Sequence, residues 1–199
     1  MSDPYSTIDY IPLGKNKNKT QIILAETKRE YKSYIQGLKY RYNKKNPYLP
    51  NYVISKYGKI IKILEPECYS NFMEIEEINK NSIIICLENY GWLKKNILED
   101  SYSNWIGDIY KKKVFKKKWR EYFFWDIYNN KQIKSLSDLI FELCNNFNIP
   151  KEFLDSNVKK DEVYNFKGIV SKSNFNIYNK DVNPSFNFKK LKQQLDYYG

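Results

Sequence analysis

Residues 82–87 read Ser-Ile-Ile-Ile-Cys-Leu, a continuous apolar run. A strand with one face in water alternates apolar and polar side chains, whereas a short continuous run is typical of a strand buried on both faces. We therefore expect residues 82–87 to form the centre of a β-sheet.

The chain before this run predicts a strand, a helix and a hairpin. Residues 21–24 (QIIL) form a short β-branched strand, and residues 26–42 carry apolar side chains at helical spacing. Residues 52–64 contain two strand-like runs around Tyr57 and Gly58, and a glycine can take the positive φ that a tight hairpin requires.

The chain after this run predicts two helices and a strand. Ser135 opens a capping motif before an amphipathic helix, which Pro150 ends. Residues 168–170 indicate a strand, residues 171–185 a polar loop and residues 186–195 a terminal helix. The alternation of strands and helices predicts an α/β domain with a mixed central β-sheet flanked by helices.

The remaining segments set the domain organisation. Residues 1–20 are polar and contain two prolines, which predicts an N-terminal arm, and residues 21–199 then form one domain. Residues 100–131 show weak periodicity, with a candidate edge strand at residues 119–125, and we interpret them as an inserted elaboration.

The composition excludes several kinds of chemistry. The chain contains no histidine, so His-based nucleophile activation and His-zinc sites are excluded. Cys68, Cys86 and Cys144 are odd in number and widely spaced, and they predict neither a disulfide framework nor a zinc knuckle. Residues 1–20 lack the apolar core of a secretion signal, so we expect a cytoplasmic protein, or a virion protein if the source is a phage.

The formal net charge is +11, and cations concentrate in residues 110–125, YKKKVFKKKWREYFFW. Interleaved cations and aromatic rings can hold single-stranded nucleic acid, but no nucleic-acid module accompanies them here. We therefore favour a solvated or protein-contacting surface. The candidate interaction patch comprises Trp105, Lys111, Lys112, Lys113, Lys116, Lys117, Lys118, Trp119, Arg120 and Trp125.

Four segments carry a further pattern. Residues 21–27 (QIILAET) are similar to a strand ending Ile-Val-Leu-His-His-Thr, and residues 52–64 to a hairpin that commonly begins Tyr-His-Phe-Val-Ile. Residues 81–93 (NSIIICLENYGWL) are similar to Asn-x-Ser-Ile-Gly-Ile-Glu-Leu-x-Asn-x-Gly-x-Leu. Residues 168–188 are similar to Gly-Ile-Val-x-His-Ser followed by Lys-x-Asp-Pro-Gly-Pro-x-Phe-x-Trp. In this order the segments resemble the N-acetylmuramoyl-L-alanine amidase and peptidoglycan-recognition family, the type-2 amidases.

The resemblance implies an amidase fold whose zinc ligands have been replaced. Ala25 stands at the first ligand histidine and Lys172 at the second, whereas Asp181 matches the third ligand. Three further positions of the family's site also differ in this chain. Pro50 and Asn51 stand in place of a Tyr-His pair, and Cys86 stands in place of an active-site Glu. Lys180 falls near the family's conserved Lys.

An ammonium group at a ligand position would repel a divalent cation. We therefore expect Lys172 to pair with Asp181 or Glu26 inside the former cleft, with no cofactor bound. An alternative ligand set of Glu26, Cys86 and Asp181 would require these side chains to converge.

These expectations lead to a functional hypothesis. We expect a catalytically inactive amidase-like domain that contacts other proteins of a larger assembly, such as the tail or baseplate of a phage particle. The alternative is a non-catalytic module that binds peptidoglycan or another cell-wall polymer. We expect neither nucleic acid nor a membrane as partner, and an active zinc amidase would need an unrecognised ligand set.

Overall fold

The computed structural model describes residues 10–43, 48–154 and 157–197. In these residues the α-helices are α1 (Tyr31–Asn43), α2 (Glu76–Asn81), α3 (Asn130–Phe147) and α4 (Phe188–Tyr197). The strands are β1 (Gly14–Lys15), β2 (Gln21–Glu26), β3 (Tyr52–Ile54), β4 (Ile60–Lys62), β5 (Cys68–Tyr69), β6 (Ser82–Leu87), β7 (Trp92–Lys95), β8 (Tyr102–Ser103), β9 (Ile109–Tyr110), β10 (Phe115–Trp119), β11 (Tyr122–Trp125) and β12 (Gly168–Ser171).

The central sheet has the strand order β12-β2-β6-β3-β4. β12, β2, β6 and β3 run parallel, while the hairpin partner β4 is antiparallel to β3. All six residues of β6 are buried, and this strand is the middle one of the five. The predicted mixed α/β architecture with residues 82–87 at its centre is therefore confirmed.

Alternation along the strands divides the core into two layers. Ile22 and Leu24 face α3 and α4 and pack in one cluster with Leu136 and Leu191. On the opposite face, Ala25 packs in a second cluster with the apolar side of α1. Each fully buried aliphatic side chain contributes about 2 kcal/mol of transfer free energy, so the two layers stabilise the sheet from both sides.

The hairpin of β3 and β4 forms where the sequence predicts it. Gly58 has φ +83°, and a Cβ atom there would lie 2.6 Å from the hydroxyl oxygen of Ser135 on α3. The predicted start of α3 is wrong, because the helix begins five residues before Ser135, at Asn130. The Asn129 side chain accepts a hydrogen bond of 2.9 Å from the Gln132 amide and caps the helix, which explains the earlier start.

Residues 92–125 contribute a second sheet with the order β10-β11-β7-β8-β9. The predicted single strand over residues 119–125 is wrong, because these residues contain the turn between β10 and β11. Arg120 takes φ +54° at this turn, and no glycine or proline next to it in the sequence predicts a turn there.

The N-terminal region is described only from residue 10. Residues 1–9 of the predicted arm lie outside the described residues, and Gly14 and Lys15 pair with β5. The boundary between arm and domain stays a prediction. None of the helices in the described ranges is long and apolar enough to cross a membrane.

Candidate functional site

The parallel strands of the central sheet bring two predicted site positions together at their carboxyl ends. Ala25 on β2 lies directly opposite Cys86 on β6, and both are fully buried. Ligands of open α/β sheets generally bind at this edge, beyond the carboxyl ends of the strands. The last residue of β2, Glu26, therefore stands at the entrance of a candidate site.

A lysine lies between two carboxylates at this position. The Lys28 Nζ atom is 2.5 Å from Glu26 Oε2 and 2.8 Å from Asp181 Oδ1. The side chain of Glu26 is fully buried, that of Asp181 is 9% exposed and that of Lys28 is 24% exposed. We call these three residues the Lys28 cluster.

Hydrogen bonds satisfy the remaining oxygens of the cluster. The Tyr128 hydroxyl donates to Glu26 Oε1, and the Asn183 amide donates to the same oxygen at 2.7 Å. The backbone amide of Glu26 donates to Asp181 Oδ2 at 3.1 Å. Both carboxylates are thus held by several donors, which is the condition under which buried charges are tolerated.

Backbone geometry positions the lysine. Lys28 takes φ +60°, which is uncommon for a residue other than glycine and turns the chain back towards β2. Its carbonyl accepts a hydrogen bond of 3.1 Å from Trp105 Nε1. A Cβ atom at Gly91 would lie 3.0 Å from Lys28 Cδ, so the absence of a side chain at this position leaves space for the lysine.

The environment of the cluster shifts the pKa values of its two carboxyl groups in opposite directions. Burial raises the pKa of Glu26, although Lys28 opposes the shift. Burial would also raise the pKa of Asp181, but the nearby ammonium groups of Lys28 and Lys172 outweigh it and lower that pKa. The two carboxylates likewise overcome the burial of Lys28 and raise its pKa, so the ammonium form is stabilised.

The structure corrects the expected partner of these carboxylates. Lys172 does not form the predicted ion pair with Asp181 or Glu26, and its Nζ lies 4.8 Å from the ring centroid of Phe72. Lys28 takes the place that we assigned to Lys172, because the turn after β2 brings it back over the strand end. No motif near Lys28 predicts its contact with Glu26 and Asp181, because the space for the lysine side chain depends on Gly91, which is distant in the sequence.

The other predicted site positions divide into buried structural groups and an ion pair beside the cleft. Cys86 Sγ is 3.5 Å from the Tyr34 hydroxyl, and burial raises the pKa of this thiol to about 12. The Asn51 side chain accepts from the Ile84 amide at 2.8 Å and so ties the start of β3 to β6. Pro50, the residue directly before Asn51, is also buried. Lys180 pairs with Glu121, in the turn between β10 and β11, at 3.2 Å.

The donor set does not fit the zinc that the amidase resemblance implies. Three ligands around an open position are needed, and Ala25 supplies no donor atom. An ammonium group already contacts both carboxylates. The alternative set of Glu26, Cys86 and Asp181 is not found either, because no metal-ligand cluster of acidic, cysteine or histidine residues occurs in the described ranges 10–43, 48–154 and 157–197.

A cleft of about 570 Å³ opens over the Lys28 cluster. Its lining combines cationic and aromatic side chains with the two carboxylates, and includes Arg29, Tyr40, Arg41, Tyr48, Trp105 and Lys172. The guanidinium carbon of Arg29 lies 5.0 Å from the ring centroid of Trp105, so part of the cleft wall is a stacked cation and indole.

The candidate interaction patch is only partly a surface. Trp105 is 50% exposed, and the six lysines at 111–113 and 116–118 are exposed. Trp119 and Arg120 are half-buried and stack on each other at 4.6 Å. Trp125 is fully buried, with its indole N–H donating to the Lys117 carbonyl at 2.8 Å, so its assignment to the patch is wrong.

These features define an α/β domain with a cationic and aromatic cleft at the carboxyl ends of its parallel strands. The family model of N-acetylmuramoyl-L-alanine amidase matches residues 15–172. The chain therefore belongs to the N-acetylmuramoyl-L-alanine amidase family.

A solved structure shares this fold. It is the N-acetylmuramyl-L-alanine amidase AmiD from E. coli, in complex with its substrate anhydro-N-acetylmuramic acid-L-Ala-D-gamma-Glu-L-Lys. The similarity has a TM-score of 0.54 at 15% sequence identity, and covers 92% of this chain and 59% of the AmiD chain. No curated protein sequence matches this chain.

Proposed function

We propose that this chain is a catalytically inactive amidase-fold domain that serves as a structural or interaction component of a larger protein assembly. One observation carries the proposal. The ammonium group of Lys28 lies 2.5 Å from Glu26, at the end of β2, and 2.8 Å from Asp181, which the family resemblance matches to a zinc ligand.

The chemistry of a zinc amidase supports this reading. The metal must lower the pKa of a bound water and polarise the scissile carbonyl, and three protein ligands must hold it. Here Ala25 supplies no ligand, and Lys28 occupies the charge site between the carboxylates. A cation at the same place would meet the repulsion of Lys28 and of nearby Lys172.

The proposed setting is a phage particle, in its tail or baseplate, where domains related to wall enzymes occur. A domain that no longer cuts can keep its fold for contacts with neighbouring proteins. The basic net charge of +11 and the exposed lysines of β10 favour such contacts.

Release of dye from labelled peptidoglycan tests the loss of activity. We expect no release by the chain with added zinc, alongside strong release by an authentic zinc amidase in the same assay. Zinc-dependent release that is lost on Asp181→Asn would contradict the proposal, since it would require a working metal site.

The open cleft favours one second candidate, a non-catalytic module that binds peptidoglycan or another wall polymer. Its volume of about 570 Å³ and its aromatic lining would suit a muropeptide, which is what AmiD holds in its own complex. A pull-down on purified peptidoglycan tests this candidate, with Trp105→Ala as the cleft variant. Retention that Trp105→Ala reduces favours wall binding through the cleft. Equal retention of the unchanged chain and the Trp105→Ala variant contradicts binding through the cleft.

A further inference from the structure

Three half-buried cations line the cleft over the Lys28 cluster without a carboxylate partner. They are Arg29, Arg41 and Lys172. In the part of the chain that the structure describes, none of the three forms an ion pair, and the two carboxylates of the cleft are already held by Lys28. Charges in a partly buried cleft are screened less than charges on an open surface, so they attract an anion more strongly.

Aromatic rings hold two of these cations in place. The guanidinium carbon of Arg29 lies 5.0 Å from the ring centroid of Trp105, and Lys172 Nζ lies 4.8 Å from that of Phe72. A guanidinium that stacks on a ring keeps its in-plane N–H donors for another partner. The buried Nε of Arg29 has no hydrogen-bond acceptor among the described residues, and an unpaired buried donor is costly. An oxyanion that binds along the edge of the guanidinium would supply this acceptor.

The third cation, Arg41, acts on the same part of the cleft floor as Lys172. Arg41 lies on α1, where its Nε donates to the Gly37 carbonyl at 3.2 Å and its guanidinium carbon lies 5.8 Å from the ring centroid of Tyr34. Burial raises the pKa of Cys86, and the charges of Lys172 and Arg41 both oppose this shift. Both cations therefore lie around one buried thiol at the strand end.

The charge of the cleft indicates the charge of its ligand. The lining contains four cations, Lys28 among them, and two carboxylates, so two positive charges are left uncompensated. A phosphate monoester carries a charge of about −1.5 to −2 at neutral pH and matches this excess, whereas a single carboxylate neutralises only half of it. Phosphate oxygens also accept paired hydrogen bonds from an arginine side chain.

The size and the rings of the cleft limit what the phosphate is attached to. The volume of about 570 Å³ lies in the range of sites for small molecules. Trp105 is 50% exposed and Tyr48 is 43% exposed, so their rings offer apolar faces to the ring of a sugar. Single-stranded nucleic acid fits less well, because it needs a basic groove that follows its backbone past several stacked bases.

We propose that the cleft binds a sugar phosphate, with the three cations around the phosphate group and the sugar ring against Trp105. The inference goes beyond the proposed function, because it requires neither a loss of activity nor a protein partner. It also differs from the muropeptide candidate, because the group that the cleft recognises is a phosphate.

Isothermal titration calorimetry with glucose 6-phosphate as the probe tests the proposal. We expect glucose 6-phosphate to bind, glucuronate with its one carboxylate to bind more weakly, and glucose not to bind measurably. A hydrogen bond to a charged group corresponds to about a tenfold or greater change in affinity, so Arg29→Met and Arg41→Met should each weaken the probe at least tenfold. Arg120→Met is the matched control, because Arg120 stacks on Trp119 at 4.6 Å but does not line the cleft, and it should leave the affinity unchanged.

Thermal unfolding shows whether each variant is folded, and Lys172→Met gives a third measurement should one arginine variant fail to fold. Equal affinities for glucose 6-phosphate and glucose would overturn the proposal, and so would an affinity that the folded cleft variants leave unchanged. Tighter binding of glucuronate would overturn the assignment to phosphate. Binding of oligothymidylate that the cleft variants weaken, without binding of glucose 6-phosphate, would identify nucleic acid as the ligand instead. The outcome is separable from the proposed function, because dye release from labelled walls would contradict inactivity and leave the sugar phosphate result unchanged.

Discussion

Replacement of Lys28 by methionine tests the energetic role of the Lys28 cluster. The substitution keeps a long side chain but removes the charge, and it takes away the cation that contacts both Glu26 and Asp181. Loss of one partner from a buried ion pair costs about 3–5 kcal/mol, and we expect about 3 kcal/mol here because the lysine side chain is 24% exposed. For a chain of 199 residues this corresponds to a decrease in Tm of about 6–12 °C.

Urea unfolding at neutral pH measures this loss, and two variants interpret it. Lys134→Met is the matched surface control, because Lys134 pairs with Asp138 at 3.1 Å while both side chains are about half exposed, and it should cost less than about 1 kcal/mol. Converting Glu26 to Gln and Asp181 to Asn in the Lys28→Met background should recover part of the stability. A cost for Lys28→Met no larger than that of Lys134→Met would refute the reasoning.

Three further predictions follow from the same geometry. Gly91→Ala should lower the free energy of unfolding in urea more than Gly107→Ala. Both glycines have positive φ, where a side chain costs about 1–2 kcal/mol, but only at Gly91 would the added Cβ contact Lys28. Equal losses for the two variants would contradict the close contact between Gly91 and Lys28. The difference in free energy of unfolding between wild type and Lys28→Met should have its full size below the ordinary lysine pKa of 10.5. It should shrink as pH rises above that value, because folding raises the pKa of Lys28. Denaturation at several alkaline pH values measures this trend, and a difference that does not change with pH would refute the prediction. Trp125→Ala should cost about 3–5 kcal/mol in thermal unfolding and Trp105→Ala clearly less, since only Trp125 is fully buried, and the reverse order would contradict this packing.

The central sheet could be predicted because its signals are local. A continuous apolar run at residues 82–87 identifies the middle strand, and Gly58 marks the turn of the hairpin. The turn between β10 and β11 could not be predicted in the same way, since Arg120 adopts positive φ without a turn-favouring residue beside it. The predicted start of α3 is wrong because the Asn129 side chain, and not that of Ser135, caps the helix.

The assignment of a former zinc site to Ala25, Cys86 and Asp181 stays a prediction, but the structure does bring the predicted positions together. Ala25 lies opposite Cys86 in the parallel strands, and Asp181 accepts a hydrogen bond from the Glu26 amide. The identity of the cation was not predictable. The place of Lys28 depends on its own positive φ and on space at Gly91, and neither is visible in a motif.

The zinc content of the purified chain shows whether the Lys28 cluster leaves room for a metal ion. The protein would be incubated with excess zinc, dialysed and measured by inductively coupled plasma mass spectrometry, with an authentic zinc amidase treated in parallel. We predict far less than one zinc per chain, because an ammonium group lies where the metal charge would be needed. Retention of one zinc per chain, lost on Asp181→Asn, would contradict the account.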